Sequence, residues 1–376
     1  MGRRPVSVAL ALSWLSGSLL MTLLIYFYNY YLGGALNLAV IWGIYSVSAL
    51  VLFFLNRHWE FGLPDFSFKR HRFLVLILSF ILIGEITSCF YPVTDWDAVT
   101  LYDFRARIML HTGDIKTALA WVNMPGYPMY TSLLHYWVYA NGLWTAMPVY
   151  PLFTFSLAAG IYFLFRRFNR PGISALVSLA CILAPKVFEN SFIAYTNLPY
   201  AVFLILGAVY IFFWTRTKYF PDLLMGLIFS LATFWVRLFP FALVSLTLML
   251  LALPLIRKNA KILAVLAFIM FFVICFIPAI RPVAGYLKWA VYQYYLPYTV
   301  IFAGLFIYGL FNRRADWYWP LFYTGCSLVL LIGTYIFSRQ IPGYYQGIPD
   351  AVRRMTIFIN LPVIWFAAGL LEKAKP

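Results

Sequence analysis

Apolar runs of about the length that crosses a bilayer recur from one end of this chain to the other. They fall at 6–31, 36–55, 72–91, 147–165, 172–188, 198–214, 220–236, 239–256, 262–280, 296–311, 317–337 and 355–371. Short turns rich in Lys and Arg separate many of them. The pattern predicts an all-α, polytopic transmembrane helical bundle of about twelve spans. Residues 92–146 interrupt it. That stretch is too broken by Pro, Gly and polar groups for simple spans, and it predicts about two or three helices lying along the membrane interface.

One interfacial helix is expected over 97–112. At about 100° per residue, Thr100, Asp103, Arg107 and His111 share one narrow face. Leu101, Tyr102, Ile108 and Met109 form a broad apolar side suited to the headgroup boundary. MPGYP at 124–128 breaks the chain, and YTSLLHYWVYANG follows as an aromatic-rich helix.

Composition strengthens the membrane reading. The chain has 376 residues, 64% hydrophobic and 11% charged, against about 45–50% and about 25% in soluble domains. No room is left for a large soluble domain. The net charge of +16 could suggest nucleic acid, but the basic residues sit in clusters between spans, as topology signals do. Arg3/Arg4, Arg57/Lys69/Arg70/Arg72, Arg166/Arg167/Arg170, Arg313/Arg314 and Lys373/Lys375 read as cytoplasmic, with both termini inside. The expected location is the plasma (inner) membrane, multi-pass, with 92–146 on the extracytoplasmic face. An N-terminal hairpin and cytoplasmic loop, 1–71, precede the main membrane domain, 72–376. No cleavable signal peptide and no internal repeat are evident. Cys89, Cys181, Cys275 and Cys326 lie in apolar runs without metal-ligand spacing and read as small hydrophobes.

The candidate chemistry lies in YPVTDWDAVTLYDFRARIMLHTGD, residues 91–114. Of 12 acidic residues in the chain, Asp95, Asp97, Asp103 and Asp114 fall here. Asp95 and Asp97 flank Trp96 and could supply a general base and a second ligand for a metal or substrate. Against that stands a loop turn plus a helix N-cap at Asp97. Asp103 and Arg107 have the spacing of a helix-surface ion pair. Arg105 falls on the apolar side, where anion binding and snorkelling compete. Glu85 lies inside the third span and must face a cavity or a partner. Arg237 and the pair Arg353 and Arg354 sit near the outer face, against the positive-inside trend, and suit an anion such as a lipid phosphate. His111 and His135 share that face without metal spacing. Tyr127 and Trp137 could stack on a sugar, although most aromatics near span ends read as an interface belt.

In ordered combination these motifs resemble the GT-C superfamily of polytopic glycosyltransferases, especially relatives of protein O-mannosyltransferases and lipid A aminoarabinose transferases. An apolar span leads to DWDAVTLYDFRARIMLHTGD, similar to the superfamily's acidic loop, amphipathic helix and Gly-Asp. MPGYPMYTSLLHYW, AYTNLPYAVF (194–203), GLIFSLATFWVRLFPFAL (226–243) and RRMTIFINLPVIWF (353–366) follow in the family's order. The resemblance spans roughly residues 72–371. The hairpin at 1–55 and the lack of a large C-terminal soluble domain depart from it, and the family's Asp-Glu stands here as Asp-x-Asp.

The resemblance implies transfer of a sugar from a polyprenyl-phosphate donor to a lipid-linked or other cell-surface glycan, with inversion. Asp97 is the implied base and Asp95 the alternative. Arg237, Arg353, Arg354 and Arg105 would bind the donor phosphate, and Tyr127, His135 and Glu85 would line the substrate site. A divalent cation, Mg or Mn, stays open, with Asp95 and Asp97 as its ligands. The implied partners are the donor, a glycan or glycolipid acceptor and membrane lipid, with no nucleic acid. The competing function is a transporter or flippase for a lipid-linked sugar.

Overall fold

Backbone polar groups have no water to turn to in an apolar medium, so a chain of this composition must satisfy them within helices. Among the described residues there is no strand. The computed structural model describes residues 6–56, 68–121, 126–167, 169–237, 259–289 and 318–340, together with 296, 297, 300 and 304.

The expected apolar runs emerge as helices wherever they are described. Helix α1 covers Val6–Tyr26 and continues through a π-helical turn, Phe27–Tyr31. Helices α2 (Leu38–Asn56) and α3 (Phe68–Ser88) complete the N-terminal part. The broken stretch holds α4 (Phe104–Thr112), α5 (Ile115–Ala120) and α6 (Tyr130–Ala140), and α7 covers Val149–Phe165. The run at 172–188 becomes two helices, α8 (Pro171–Leu183) and α9 (Pro185–Asn190), divided where Pro185 cannot donate a backbone bond. Next come α10 (Asn197–Thr217), α11 (Phe220–Val236) and α12 (Ala260–Phe276). A short helix α13 (Arg281–Trp289) and helix α14 (Tyr318–Gln340) close the described chain. The expected spans at 239–256 and 355–371 lie outside the described residues.

Among the described residues three helices are long and apolar enough to cross a membrane: Val8–Tyr31, His71–Ser88 and Asn197–Thr217. Helices α12 and α13 pass the same test as a pair bent by 112°. The other apolar helices run 10–17 residues. By length and composition the chain is an all-helical protein suited to a membrane.

The chain forms two compact units. One comprises Met1–Ser178, Glu189–Pro199 and Trp235–Arg237; the other comprises Leu179–Phe188, Tyr200–Phe234 and Leu238–Pro376. In the first unit α1 packs on α6 and α7, α3 packs on α7, and α4 packs on α5 and α6. Polar side chains stitch these apolar faces together. The Ser18 and Tyr130 hydroxyls lie 2.9 Å apart, Trp235 Nε1 donates to Thr22 Oγ1 at 2.9 Å, and His71 Nδ1 lies 2.8 Å from the Tyr162 hydroxyl.

In the second unit α10 and α11 approach through facing glycines. A Cβ on Gly207 would meet Ser230 N at 3.0 Å, and one on Gly226 would meet Ile211 N at 3.0 Å. Small residues allow such backbone contact between apolar helices, where dispersion rather than hydrophobic burial drives association. Phe229 packs on Phe203 and Tyr210 on either side of this contact. Because a Cβ there would meet the Ile211 side chain at 2.6 Å and, behind it, the backbone atoms Ile211 N and Gly207 O at 3.0 and 3.2 Å, Gly226→Val should cost about 1–3 kcal/mol by overpacking. Thermal unfolding in detergent should report a lowered midpoint for Gly226→Val and an unchanged one for Gly172→Val, where a Cβ meets nothing within 4 Å.

Candidate functional site

The acidic stretch begins where α3 stops. Residues 91–95 are non-helical, and helix resumes at Trp96. It passes through a π-helical stretch, Ala98–Asp103, directly into α4. Val99 N donates to the Asp95 carbonyl at 2.8 Å and Thr100 Oγ1 to the Trp96 carbonyl at 2.7 Å, which fixes this first turn. Trp144 Nε1 donates to the Cys89 carbonyl at 3.0 Å, and Thr145 Oγ1 to that of Tyr91 at 2.7 Å. The non-helical stretch is thus tied to the loop before α7. Asp95 is half-buried and Asp97 exposed. The N-cap reading of Asp97 is corrected: its backbone is helical (φ −62°, ψ −33°) and its carboxylate makes no cap bond.

The π-helical stretch also changes which side chains share a face. A wider turn slips the phase of every residue after it, so the faces drawn at a uniform α-helical angle do not hold. Tyr102, Asp103, Arg105, Ala106 and Met109 are all buried. The side of this helix expected to lie on lipid packs instead on protein, chiefly α6.

Asp103 anchors that packing. Arg107 Nε donates to its Oδ2 at 2.8 Å, and the Tyr139 hydroxyl donates to its Oδ1. His135 Nδ1 lies 3.5 Å from the same Oδ1, and His135 Nε2 lies 2.8 Å from the Tyr150 hydroxyl. The Arg107 guanidinium also sits over the Tyr139 ring, 4.7 Å from its centroid. The expected Asp103–Arg107 pair therefore forms, but its carboxylate is only 4% exposed. Burial alone would raise the Asp103 pKa; the bonds from His135, Tyr139 and Arg107 outweigh it and hold it at about 2. His135, expected to touch substrate, is fully buried and acts as a strut between Asp103 and Tyr150.

A second polar cluster forms on the other side of the same helix. Arg105 is fully buried, and its Nη1 donates to the Tyr127 carbonyl at 3.0 Å. Burial lowers its pKa to about 10, while Tyr102 and Tyr127 act in the opposite sense. Snorkelling is thereby excluded for Arg105. The Tyr127 ring packs edge-on to Tyr102 at 5.9 Å, and the Tyr102 hydroxyl lies 3.3 Å from Thr196 Oγ1. Burial pushes the Tyr102 hydroxyl well up, and the Arg237 guanidinium partly offsets this. Arg237 Nη1 donates to Asn197 Oδ1 at 2.9 Å at the start of α10. Two of the expected anion ligands are thus linked to Tyr102: its phenol raises the Arg105 pKa, and Arg237 lowers that of the phenol. Arg353 and Arg354 lie outside the described residues.

The other candidates are dispersed. Glu85 is half-buried in α3, and among the described residues its Oε2 finds no hydrogen-bond donor. His111 is exposed. Asp114 caps α5 through Lys116 N and Thr117 N, so the Gly-Asp pair is a turn. Gly113 there has φ +67°, and a Cβ would stand 3.1 Å from the Leu36 carbonyl. Among the described residues no three His, Cys, Asp or Glu side chains gather to hold a metal. Asp95 and Asp97 alone could hold a hydrated Mg or Mn, which needs one or two carboxylates. The sequence reading missed Tyr139, Tyr150, Thr196 and Asn197. Only Asn197 carried a signal, as the polar residue before Pro199 at the start of an apolar run.

Asp103 also predicts an acid limit on stability. A carboxylate held at about 2, against about 3.9 when unfolded, stabilises the fold fully above pH 4 and loses that contribution as pH falls toward 2. By pH 3 the wild type should have lost about 1 kcal/mol from this group. Asp103→Asn should be less stable at pH 7 by about 2 kcal/mol and should lack this part of the acid slope. Unfolding followed by tryptophan fluorescence at pH 7, 4 and 3 reads both effects.

No protein-family model, curated protein or solved structure matches this chain.

Proposed function

We propose that this chain is an integral-membrane glycosyltransferase. It moves a sugar from a polyprenyl-phosphate donor to a lipid-linked or cell-surface glycan, with Asp97 as base and Asp95 as the alternative. One observation carries the reading. Arg105 bonds the carbonyl of Tyr127, whose ring packs on Tyr102, and Arg237 bonds Asn197, the chain neighbour of the Thr196 that faces the Tyr102 hydroxyl; Tyr102 lies five residues along a continuous helical stretch from Asp97. An exposed carboxylate on the same helical stretch as Arg105 suits a phosphate leaving group and an attacking hydroxyl on one substrate.

The chemistry is a single displacement. The acceptor hydroxyl oxygen bonds to the anomeric carbon as its proton passes to the Asp97 carboxylate. The bond from that carbon to the phosphate oxygen breaks, and its electron pair leaves with the phosphate. Arg237 and Arg105, with Arg353 and Arg354 by the family resemblance, stabilise the charge that develops there. Attack opposite the leaving group inverts the anomeric centre. Tyr127 borders the cluster through its carbonyl on Arg105 and its ring on Tyr102, and Asn197 orients Arg237. A bound Mg or Mn on Asp95 and Asp97 would add positive charge beside the donor.

The test is transfer from radiolabelled polyprenyl-phosphate sugars by purified protein in lipid, with a membrane-glycan extract as acceptor. Asp97→Asn should lower turnover by about 10²–10⁴-fold. Arg237→Ala should raise the donor KM with the fold retained. A chelator effect would assign Asp95 to a metal. Undiminished transfer by Asp97→Asn and Asp95→Asn removes the base assignment. If no donor turns over while lipid-linked sugar crosses the bilayer equally in wild type and both variants, the chain is a flippase instead.

A further inference from the structure

We infer that the exposed aromatic face around Trp96 and Trp144 is a membrane-interface platform, which seats the Asp95–Asp97 loop in the lipid headgroup layer. Its first support is continuity with a lipid-facing helix. Helix α3 is span-competent and mostly unburied. Leu76, Phe80 and Ile83, spaced four and three residues apart, are 70%, 54% and 64% exposed. They form one outward apolar stripe, as a helix against hydrocarbon requires.

The stripe does not end with the helix. Beyond Ser88 the exposed side chains change from aliphatic to aromatic: Phe90 75%, Tyr91 58%, Trp96 78% and Trp144 55%. A change to Trp and Tyr at a span end marks the boundary between acyl chains and headgroups, where an apolar ring and a polar edge are both satisfied. In open water the same group would be an unusually large apolar patch.

The face is also built as one surface. Trp144 comes from a loop 55 residues away and is bonded to Cys89, while Thr145 is bonded to Tyr91. These bonds hold the second loop against the end of α3, so the aromatic groups move together. Asp95 and Asp97 are the chain neighbours of Trp96, about 3.8 Å away along the Cα trace. Seating Trp96 at the boundary places both carboxylates in the headgroup layer. Where the transferase reading holds, on which this consequence rests, a membrane-anchored acceptor would present its hydroxyl at the depth of these carboxylates.

The seating can be measured without turnover. The whole protein is labelled with 5-fluorotryptophan and placed in phosphatidylcholine–phosphatidylglycerol nanodiscs. Trp96→Phe and Trp144→Phe identify the two resonances by their loss and keep an aromatic ring at each place. Dissolved oxygen, which concentrates in lipid, and a water-soluble nickel chelate are added in turn. Both reagents should speed relaxation of both resonances, because the headgroup layer admits each. Nickel alone acting would put the rings in water and overturn the platform. Oxygen alone would sink the loop into hydrocarbon and overturn the headgroup seating. Neither acting would mean that protein, such as a second copy, covers the face, which also overturns it. A dual response with no sugar transfer from any donor leaves the platform standing and removes only the transferase reading.

Discussion

A carboxylate taken out of water must be met by donors, and Asp103 meets that demand from two helices at once. Arg107 answers from its own helix, while Tyr139 and His135 answer from α6. An ionised group buried without such partners costs several kcal/mol, about 3–5 when one partner of a buried pair is lost. The packing of α4 on α6 is therefore specified by charge as well as by shape. Arg105 inherits its place from this contact. It lies two residues after Asp103, and its carbonyl partner, Tyr127, lies three residues before α6 begins. Fixing α4 against α6 fixes both ends of that hydrogen bond.

The opposite end of α4 is held by main-chain atoms. Asn29, buried in the π-helical turn after α1, donates to the carbonyls of Gly34 and Gly113 at 2.7 and 3.0 Å. Its Oδ1 accepts from Ile115 N at 2.7 Å, and Leu36 N donates to the Gly113 carbonyl at 2.8 Å. One side chain thus satisfies backbone groups from two turns. A left-handed glycine is needed there because the Leu36 carbonyl occupies the place of a Cβ. Between Asn29 and Asp103, α4 is clamped at both ends, and the stretch carrying Asp97 extends from its clamped start.

How much of this was legible in the sequence follows from the range of the interactions involved. Apolar runs become helices because that choice is local, and every described run did so. The division at Pro185 was local too but lay inside a run apolar enough to read as one span. The face of the 97–112 helix was misassigned for a different reason. Nothing in the residue order announces a π-helical stretch, and apolar side chains such as Met109 look the same whether lipid or α6 covers them. Tyr139 and Tyr150 were invisible as partners because a phenol among aromatics signals an interface belt as readily as a hydrogen-bond donor. Arg105 was recognised as anomalous on an apolar side, which is what a fully buried cation looks like in sequence, although the carbonyl that receives it could not be named.

The two clusters on this helix follow opposite electrostatic designs. Asp103 is surrounded by donors that favour its charged form, and its pKa falls despite burial. Its charge is spent on holding helices together. Arg105 is desolvated, and the contacts described for it are a carbonyl and two phenols, groups that orient a guanidinium without cancelling its charge. Arg237 is oriented in the same manner by the Asn197 amide. The helix therefore carries two buried charges of opposite sign on opposite sides, two residues apart. The π-helical stretch makes that separation possible, since it turns both Asp103 and Arg105 inward while leaving Asp97 exposed at its start.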